Sequence, residues 1–301
     1  MDSLIVGADI GGSHITVAFV DTGSKQIVET SKKRELIDAQ GTAADIINAW
    51  TAAFKASFAA MGQLPQKLGI AMPGPFDYQQ GISLMKNQSK YEALYNLNIK
   101  EKLANALQLP PAQICFANDA ACFLQGEVFA GSATGANAVM GLTLGTGLGS
   151  ARAKSGIALD ANLWCTPFKD GIAEDYLSTR WFIRRYHELT GQTMPHVAAI
   201  VHDKAATAIC HQLFKEFGEN LGTFLFPFLK KEKIDTVVIS GSIAGSFHLF
   251  APALNNYLQQ QGLTVAVTQS RLGEDATLMG AVSFALQMEE PVMPVMRRAG
   301  I

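Results

Sequence analysis

Twice in this chain an apolar run closes on a cluster of glycines and then resumes as another apolar run. Leu4–Ile10 carries Asp9 near its end, turns at Gly11-Gly12-Ser13 and continues through 14–20; a second turn at 21–26 leads into Ile27-Val28. Ala138–Leu144 repeats the pattern. It turns at Gly145-Thr146-Gly147-Leu148-Gly149, continues through 150–154 and meanders on through 156–159. Apolar runs joined by tight turns predict strand–turn–strand units. A glycine cluster of a dinucleotide site would have to open a helix, and neither cluster does. Small residues at such turns let backbone N–H groups approach phosphate oxygens with no Cβ in the way. Ser13 and Thr146 add hydroxyl donors. A single glycine hairpin is plain turn chemistry; two of them, each closing an apolar strand, point to a duplicated phosphate-binding device.

Helical patterns separate these units. In 42–61, Ala43, Ile46, Ile47, Trp50, Phe54 and Phe58 recur at helical spacing. Leu68–Met72 reads as a buried strand ending in the rigid loop Pro73-Gly74-Pro75, and Ile99–Leu107 as a helix stopped before Pro110-Pro111. The short strand 114–117 delivers Asn118-Asp119, and 120–129 is helical. Beyond the second meander, 174–188 and 198–228 read as long helices. Thr236–Ser240 is a buried strand ending in Gly241-Ser242, Phe247–Gln260 a helix, 263–267 a last strand, and 276–287 a closing helix with Asp275 as its N-cap. Strands alternating with helices in two similar halves predict an α/β architecture with a cleft between the halves. The expected division is 1–117 plus 276–290 as a small domain, 118–275 as a large one, and 291–301 as a loosely ordered tail.

Composition narrows the function classes. Hydrophobic residues make up 48% and charged residues 17%, which excludes a disordered chain. A net charge of −2 gives no electrostatic reason to expect nucleic acid or an anionic membrane as partner. No apolar run approaches the roughly 20 residues of a spanning helix. The N-terminus has no signal-peptide pattern, so the expected location is the cytoplasm. Cys115, Cys122, Cys165 and Cys210 form no CxxC pair and read as reduced thiols. The six histidines show no metal-ligand spacing.

In this order, the pieces resemble the ROK family of bacterial sugar kinases and repressors. Asp9-Ile10-Gly11-Gly12-Ser13 is similar to its first phosphate motif, and Pro73-Gly74-Pro75-Phe76-Asp77 to its PGP loop. Asn118-Asp119-Ala120 is similar to its catalytic strand end, 144–149 to its second phosphate motif, and Gly241-Ser242-Ile243 to its adenosine loop. The resemblance runs from residue 5 to about 285. It implies the actin-like (ribonuclease H-like) fold in two domains, ATP and Mg2+ as cofactors, a sugar substrate and a homodimer, to which the apolar character of 198–228 also points.

The resemblance assigns Asp119 as general base, with Asn118, Gly74, Asn87, Asn162 and Glu174 on the sugar. Asp9 holds Mg2+ through water. Gly11, Gly12, Ser13, Gly145, Thr146 and Gly147 clasp the phosphates, and Gly241, Ser242 and Ile243 lie beside the adenosine. His14 reads as a strand residue, and 86–91 as part of a lid on the sugar side. Taken as an isolated pair, Asn118-Asp119 also fits a turn or a helix cap.

The chain departs from the family between 162 and 174. The usual cysteine cluster is absent, so no zinc is expected; Asn162 and Cys165 stand near a customary Glu and His, while Glu174 retains an acid. The expected reaction is phosphorylation of a hexose at its 6-hydroxyl, glucose first. The alternatives are an N-acetylglucosamine or N-acetylmannosamine kinase, and a sugar-binding sensor without catalysis. A repressor is not expected, because the chain begins at the first kinase strand.

Overall fold

The structure is a computed structural model that describes residues 4–87 and 90–288, with Lys204 through its backbone only. It divides into two units. Unit 1 holds the described residues up to Ile70, Gly74–Phe116 and those from Val282; unit 2 holds Ala71–Pro73 and Ala117–Ala281. The expected tail, 291–301, and the last residues of 276–290 lie outside the described residues.

Unit 1 is built on β1 (Leu4–Ile10), β2 (His14–Asp21), β3 (Gln26–Ile27), β4 (Lys33–Leu36) and β5 (Leu68–Met72). A hairpin follows, β6 (Phe76–Asp77) with β7 (Ile82–Ser83), and then β8 (Ile114–Asn118). The main sheet runs β3-β2-β1-β5-β8, with β4 also on β2. Buried residues fill both faces of β1 and β2, as a sheet covered on two sides requires. One cover is helix α1 (Ala43–Met61). Thr42 caps it by accepting from the Asp45 N–H at 3.2 Å, and Gly62 ends it in the left-handed region at φ 65°. Its apolar stripe, Trp50, Phe54 and Phe58 among it, is buried as the spacing predicts. Helix α2 (Ile99–Leu107) is capped in the same way by Asn98.

Unit 2 opens with α3 (Asp119–Ala130). Its sheet comprises β9 (Ala138–Leu144), β10 (Leu148–Lys154) and β11 (Ile157–Asp160), with a small hairpin of β12 (Pro167–Phe168) and β13 (Gly171–Ile172) beyond them. Helices α4 (Ala173–Tyr176), α5 (Thr179–Thr190), α6 (Val197–His202) and α7 (Thr207–Glu232) lead to strand β14 (Thr236–Ser240), helix α8 (Phe247–Gln260), strand β15 (Ala266–Gln269) and α9 (Ala276–Leu286). The main sheet runs β11-β10-β9-β14-β15, with β14 parallel to β9 and to β15. Each unit therefore places its antiparallel meander at one side and adds two later strands beside its first.

Several boundaries differ from the sequence expectation. The stretch 174–188 is two helices, and 198–228 breaks at Asp203. That carboxylate is drawn away from the helix by the Tyr186 hydroxyl at 2.6 Å and accepts the Ala205 N–H at 3.0 Å. The last strand starts at Ala266 rather than 263. Asp275 belongs to a 3-10 turn, Gly273–Asp275, that runs straight into α9, so it is not in the extended form of an N-cap. The apolar residues of α7 that suggested a dimer, such as Leu213, Phe214, Phe217 and Leu221, fill the core of unit 2 with Phe182 and Phe250. No helix among the described residues is long and apolar enough to cross a membrane.

Candidate active site

The two glycine turns have the same length. Gly11-Gly12-Ser13 joins β1 to β2, and Gly145-Thr146-Gly147 joins β9 to β10. The second is shorter than the sequence suggests, because Leu148 and Gly149 already pair with Leu144 and Thr143. Gly149 is a strand glycine for a packing reason: the Thr143 hydroxyl occupies the place of its Cβ, with Ala120 at 3.7 Å.

In unit 1, the first turn closes with the Gly11 N–H on the His14 carbonyl at 3.0 Å, and the Ser13 carbonyl accepts from Ile37 at 2.9 Å. Asp9 stands in β1 opposite Thr16, partly exposed. Tyr91 reaches this turn from the far side. Its hydroxyl donates to the Gly11 carbonyl at 2.5 Å, its ring packs edge-on against Trp50 at 5.3 Å, and the side chain is fully buried. Burial pushes the Tyr91 phenol well above its ordinary value, and the negative charge of Asp9 adds to the rise. The stem of Lys90 lies beside Gly12. The end of the segment expected on the sugar side is thus fastened to the first glycine turn, a contact with no local signal in the sequence. Asn87 is exposed with φ 57°, and His14 sits 3.2 Å from the Ser13 hydroxyl. Gly74 is partly buried, with the Tyr78 hydroxyl 3.2 Å from where its Cβ would lie.

In unit 2, Asn118 and Asp119 form the junction of β8 and α3. The Asn118 side-chain oxygen caps the helix by accepting the Ala121 N–H at 3.1 Å, so the cap reading of this pair holds for its amide oxygen. Asp119 is the first helical residue and accepts the N–H of Ala120 at 2.8 Å. A helix N-terminus favours a negative charge there. Because Ala120 lies beside Gly149, this junction packs against the strand that leaves the second turn.

Gly241 is left-handed at φ 89°, and its missing Cβ makes room for the backbone of Leu144. Ser242 follows with its hydroxyl 3.4 Å from the Cβ position of Gly145, and Ile243 is buried. The expected adenosine loop and the second turn are therefore neighbours. Glu174 lies on the other side: one carboxylate oxygen accepts the Leu148 N–H at 3.0 Å, and the other meets Arg180 at 2.5 Å. Asn162 is left-handed at φ 48° and accepts from the Trp164 indole at 2.7 Å, near an exposed Cys165.

The hairpin of β12 and β13 was not foreseen. Phe168 packs edge-on against Tyr176 and Phe224, and the Lys169 ammonium lies over the Tyr176 ring while donating to Asn220 at 2.5 Å. Among the described residues no His, Cys, Asp or Glu side chains gather in threes as a metal site. A cavity of about 700 Å³ opens beside this hairpin, but none of the expected phosphate or catalytic residues lines it, and Arg185 within it is paired with Glu188 and Glu216.

Known proteins resemble this chain over most of its length. The N-acetylgalactosamine kinase AgaK of Shewanella sp. (strain ANA-3) is 24% identical over 274 residues, covering 79% of this chain and 81% of that protein. The solved ROK hexokinase of Thermus thermophilus superposes with a TM-score of 0.75 at 21% identity, over 93% of this chain and 96% of that one. The ROK glucokinase of Streptomyces griseus, solved with glucose and AMPPNP, gives 0.71 at 21% identity, over 94% and 99%. At this level of identity the two structures speak for the fold, which is the actin-like α/β fold of ROK sugar kinases. The sequence itself matches the ROK family over residues 5–288, and the chain belongs to that family.

Proposed function

We propose that the chain is an ATP-dependent sugar kinase that phosphorylates a hexose, at the 6-hydroxyl, with Asp119 as general base. The observation that carries this reading is the packing of the Asn118-Asp119 junction against the strand that leaves the second glycine turn, through Ala120 and Gly149. An acid held at the start of a helix that packs on the strand leaving that turn supports what transfer to a hydroxyl needs: a proton acceptor near the incoming phosphoryl group. Asp119 takes the proton of the sugar hydroxyl as it attacks. Asn118, Gly74, Asn87, Asn162 and Glu174 orient the sugar. The backbone of Gly11, Gly12, Ser13, Gly145, Thr146 and Gly147 receives the phosphates, with Gly241, Ser242 and Ile243 at the nucleoside.

Asp9, a partly exposed carboxylate near the end of β1, fits Mg2+, since magnesium takes one or two protein oxygens and keeps water and phosphate for the rest. When bound, Mg2+ neutralises charge on the transferred phosphate. Zinc has no part in this reading. The protein works in the cytoplasm, with no nucleic-acid or membrane partner. Its homodimer rests on family resemblance, because the apolar face of α7 is spent on the core.

A second reading is an N-acetylhexosamine kinase, favoured by the similarity to an N-acetylgalactosamine kinase. ADP release with Mg·ATP, measured across hexoses and N-acetylhexosamines, separates the two. Asp119→Asn is expected to lower kcat about 10²–10⁴-fold while leaving the sugar KM within a factor of a few. Wild-type protein that binds a sugar yet releases no ADP would instead identify a sensor.

A further inference from the structure

We infer that Lys90 is a phosphate-binding residue of the first glycine turn, its ammonium receiving the phosphate groups of the nucleotide there. This rests on reading that turn as part of the ATP site. The donors assigned to the turn so far are neutral: the backbone N–H groups of Gly11, Gly12 and Ser13 and the Ser13 hydroxyl. Asp9 brings a negative charge to the strand that leads into the turn, and a triphosphate brings several more. A cation fixed beside the turn offsets part of that charge.

The place of Lys90 is set within unit 1. A Cβ on Gly12 would stand 4.0 Å from the Lys90 Cδ, and among the described residues beyond its chain neighbours no other atom comes as close. Gly12 and Ser13 are exposed, so the turn is open and this lysine borders the opening. The next residue holds its backbone. The Tyr91 N–H donates to the Ala39 carbonyl at 2.7 Å, and the Tyr91 hydroxyl holds the Gly11 carbonyl. Two residues before Ala39, the Ile37 N–H holds the Ser13 carbonyl at 2.9 Å. Segment 37–39 therefore fastens both the turn and the base of Lys90 in one frame.

The chemistry of the side chain fits the place. Its methylene stem lies along the open glycine, which leaves the ammonium two bonds further on with three N–H donors. A lysine binds phosphate as a point charge with rotatable donors, and the packed stem lowers the rotamer freedom lost on binding. None of the ion pairs among the described residues includes Lys90. The other lysine of 86–91 is placed differently: the Lys86 ammonium lies over the Tyr95 ring, 5.3 Å from its centre. Asn87 stays with the sugar in this arrangement, while the far end of the same segment serves the phosphates.

The test measures binding of a non-hydrolysable ATP analogue with Mg2+, and of adenosine, to wild type, Lys90→Gln, Lys90→Arg and Lys55→Gln, with circular dichroism to verify folding. Lys55→Gln removes the same charge from an exposed position on α1. Lys90→Gln keeps most of the stem and is expected to weaken the analogue about tenfold while leaving adenosine unchanged. Arginine at 90 should restore most of the loss, because it returns the charge. Lys55→Gln should bind the analogue as wild type does. Analogue binding by Lys90→Gln equal to wild type, equal losses for analogue and adenosine, or a matching loss in Lys55→Gln would each overturn the inference. A folded wild type that binds neither ligand would instead overturn the ATP reading beneath it.

Discussion

Glu127, in α3, is fully buried and far from any charged partner in sequence, yet its carboxylate gathers donors from two separate loops. Ser132 offers its N–H at 2.6 Å and its hydroxyl at 2.7 Å; the Ser270 hydroxyl and the Leu272 N–H arrive at 2.6 and 2.9 Å. Burial works against the charge, but the hydrogen bonds from Ser270, Ser132 and Leu272 outweigh it and hold the carboxyl below the usual range. A depressed folded value means a stability contribution that is complete above the unfolded pKa, about 4.3, and is lost as pH falls through the folded value. Glu127→Gln replaces an acceptor oxygen by a donor facing donors, and we expect a loss of about 2–4 kcal/mol at pH 7, read from urea unfolding. The gap between wild type and variant should narrow below pH 4; an equal gap at pH 7 and pH 3 would refute the ionised carboxylate. Nothing near Glu127 in sequence announces this role, because its partners at 270 and 272 meet it only in the folded chain.

At the scale of elements, α3 and α9 touch through glycine. A Cβ on Gly126 would collide with the Ala276 carbonyl, and one on Gly280 with the carbonyl of Cys122. Two backbones this close cannot admit a methyl group without separating. Gly280→Ala is therefore expected to cost about 3 kcal/mol or more despite the gain in helix propensity, seen as a lower Tm; an unchanged or raised Tm would contradict the packing. The helices themselves were legible from periodicity where it was uninterrupted, as in α1, α2 and α8. The breaks at 177–178 and 203–206 were not, since the apolar period continues across them. What ends α6 is a hydroxyl on α5, Tyr186, bonded to Asp203. The hairpin of β12 and β13 was equally hidden, because its strands are two residues long and its stability comes from Phe224 and Asn220 on α7.

For the whole molecule, a ligand that binds only the folded protein must raise its unfolding temperature. At a concentration near 100 Kd the gain is about 2.7 kcal/mol, so a non-hydrolysable ATP analogue with Mg2+ is expected to raise Tm by roughly 5–10 °C. Adding EDTA to the protein alone should leave Tm unchanged; a large drop would reveal a structural metal. The sequence alone determined the two glycine turns, the strands they close and the Asn118-Asp119 junction; the second turn is shorter than the residue pattern suggests, since Leu148 and Gly149 already belong to β10. Turn chemistry and apolar period are local properties, legible without a fold. Only the tertiary structure decided that Tyr91 fastens to Gly11, that Glu174 and Thr179 grip the second turn, and that the apolar face of α7 is core. Those are meetings between residues distant in the chain, and which of them occur depends on how the sheets and helices pack.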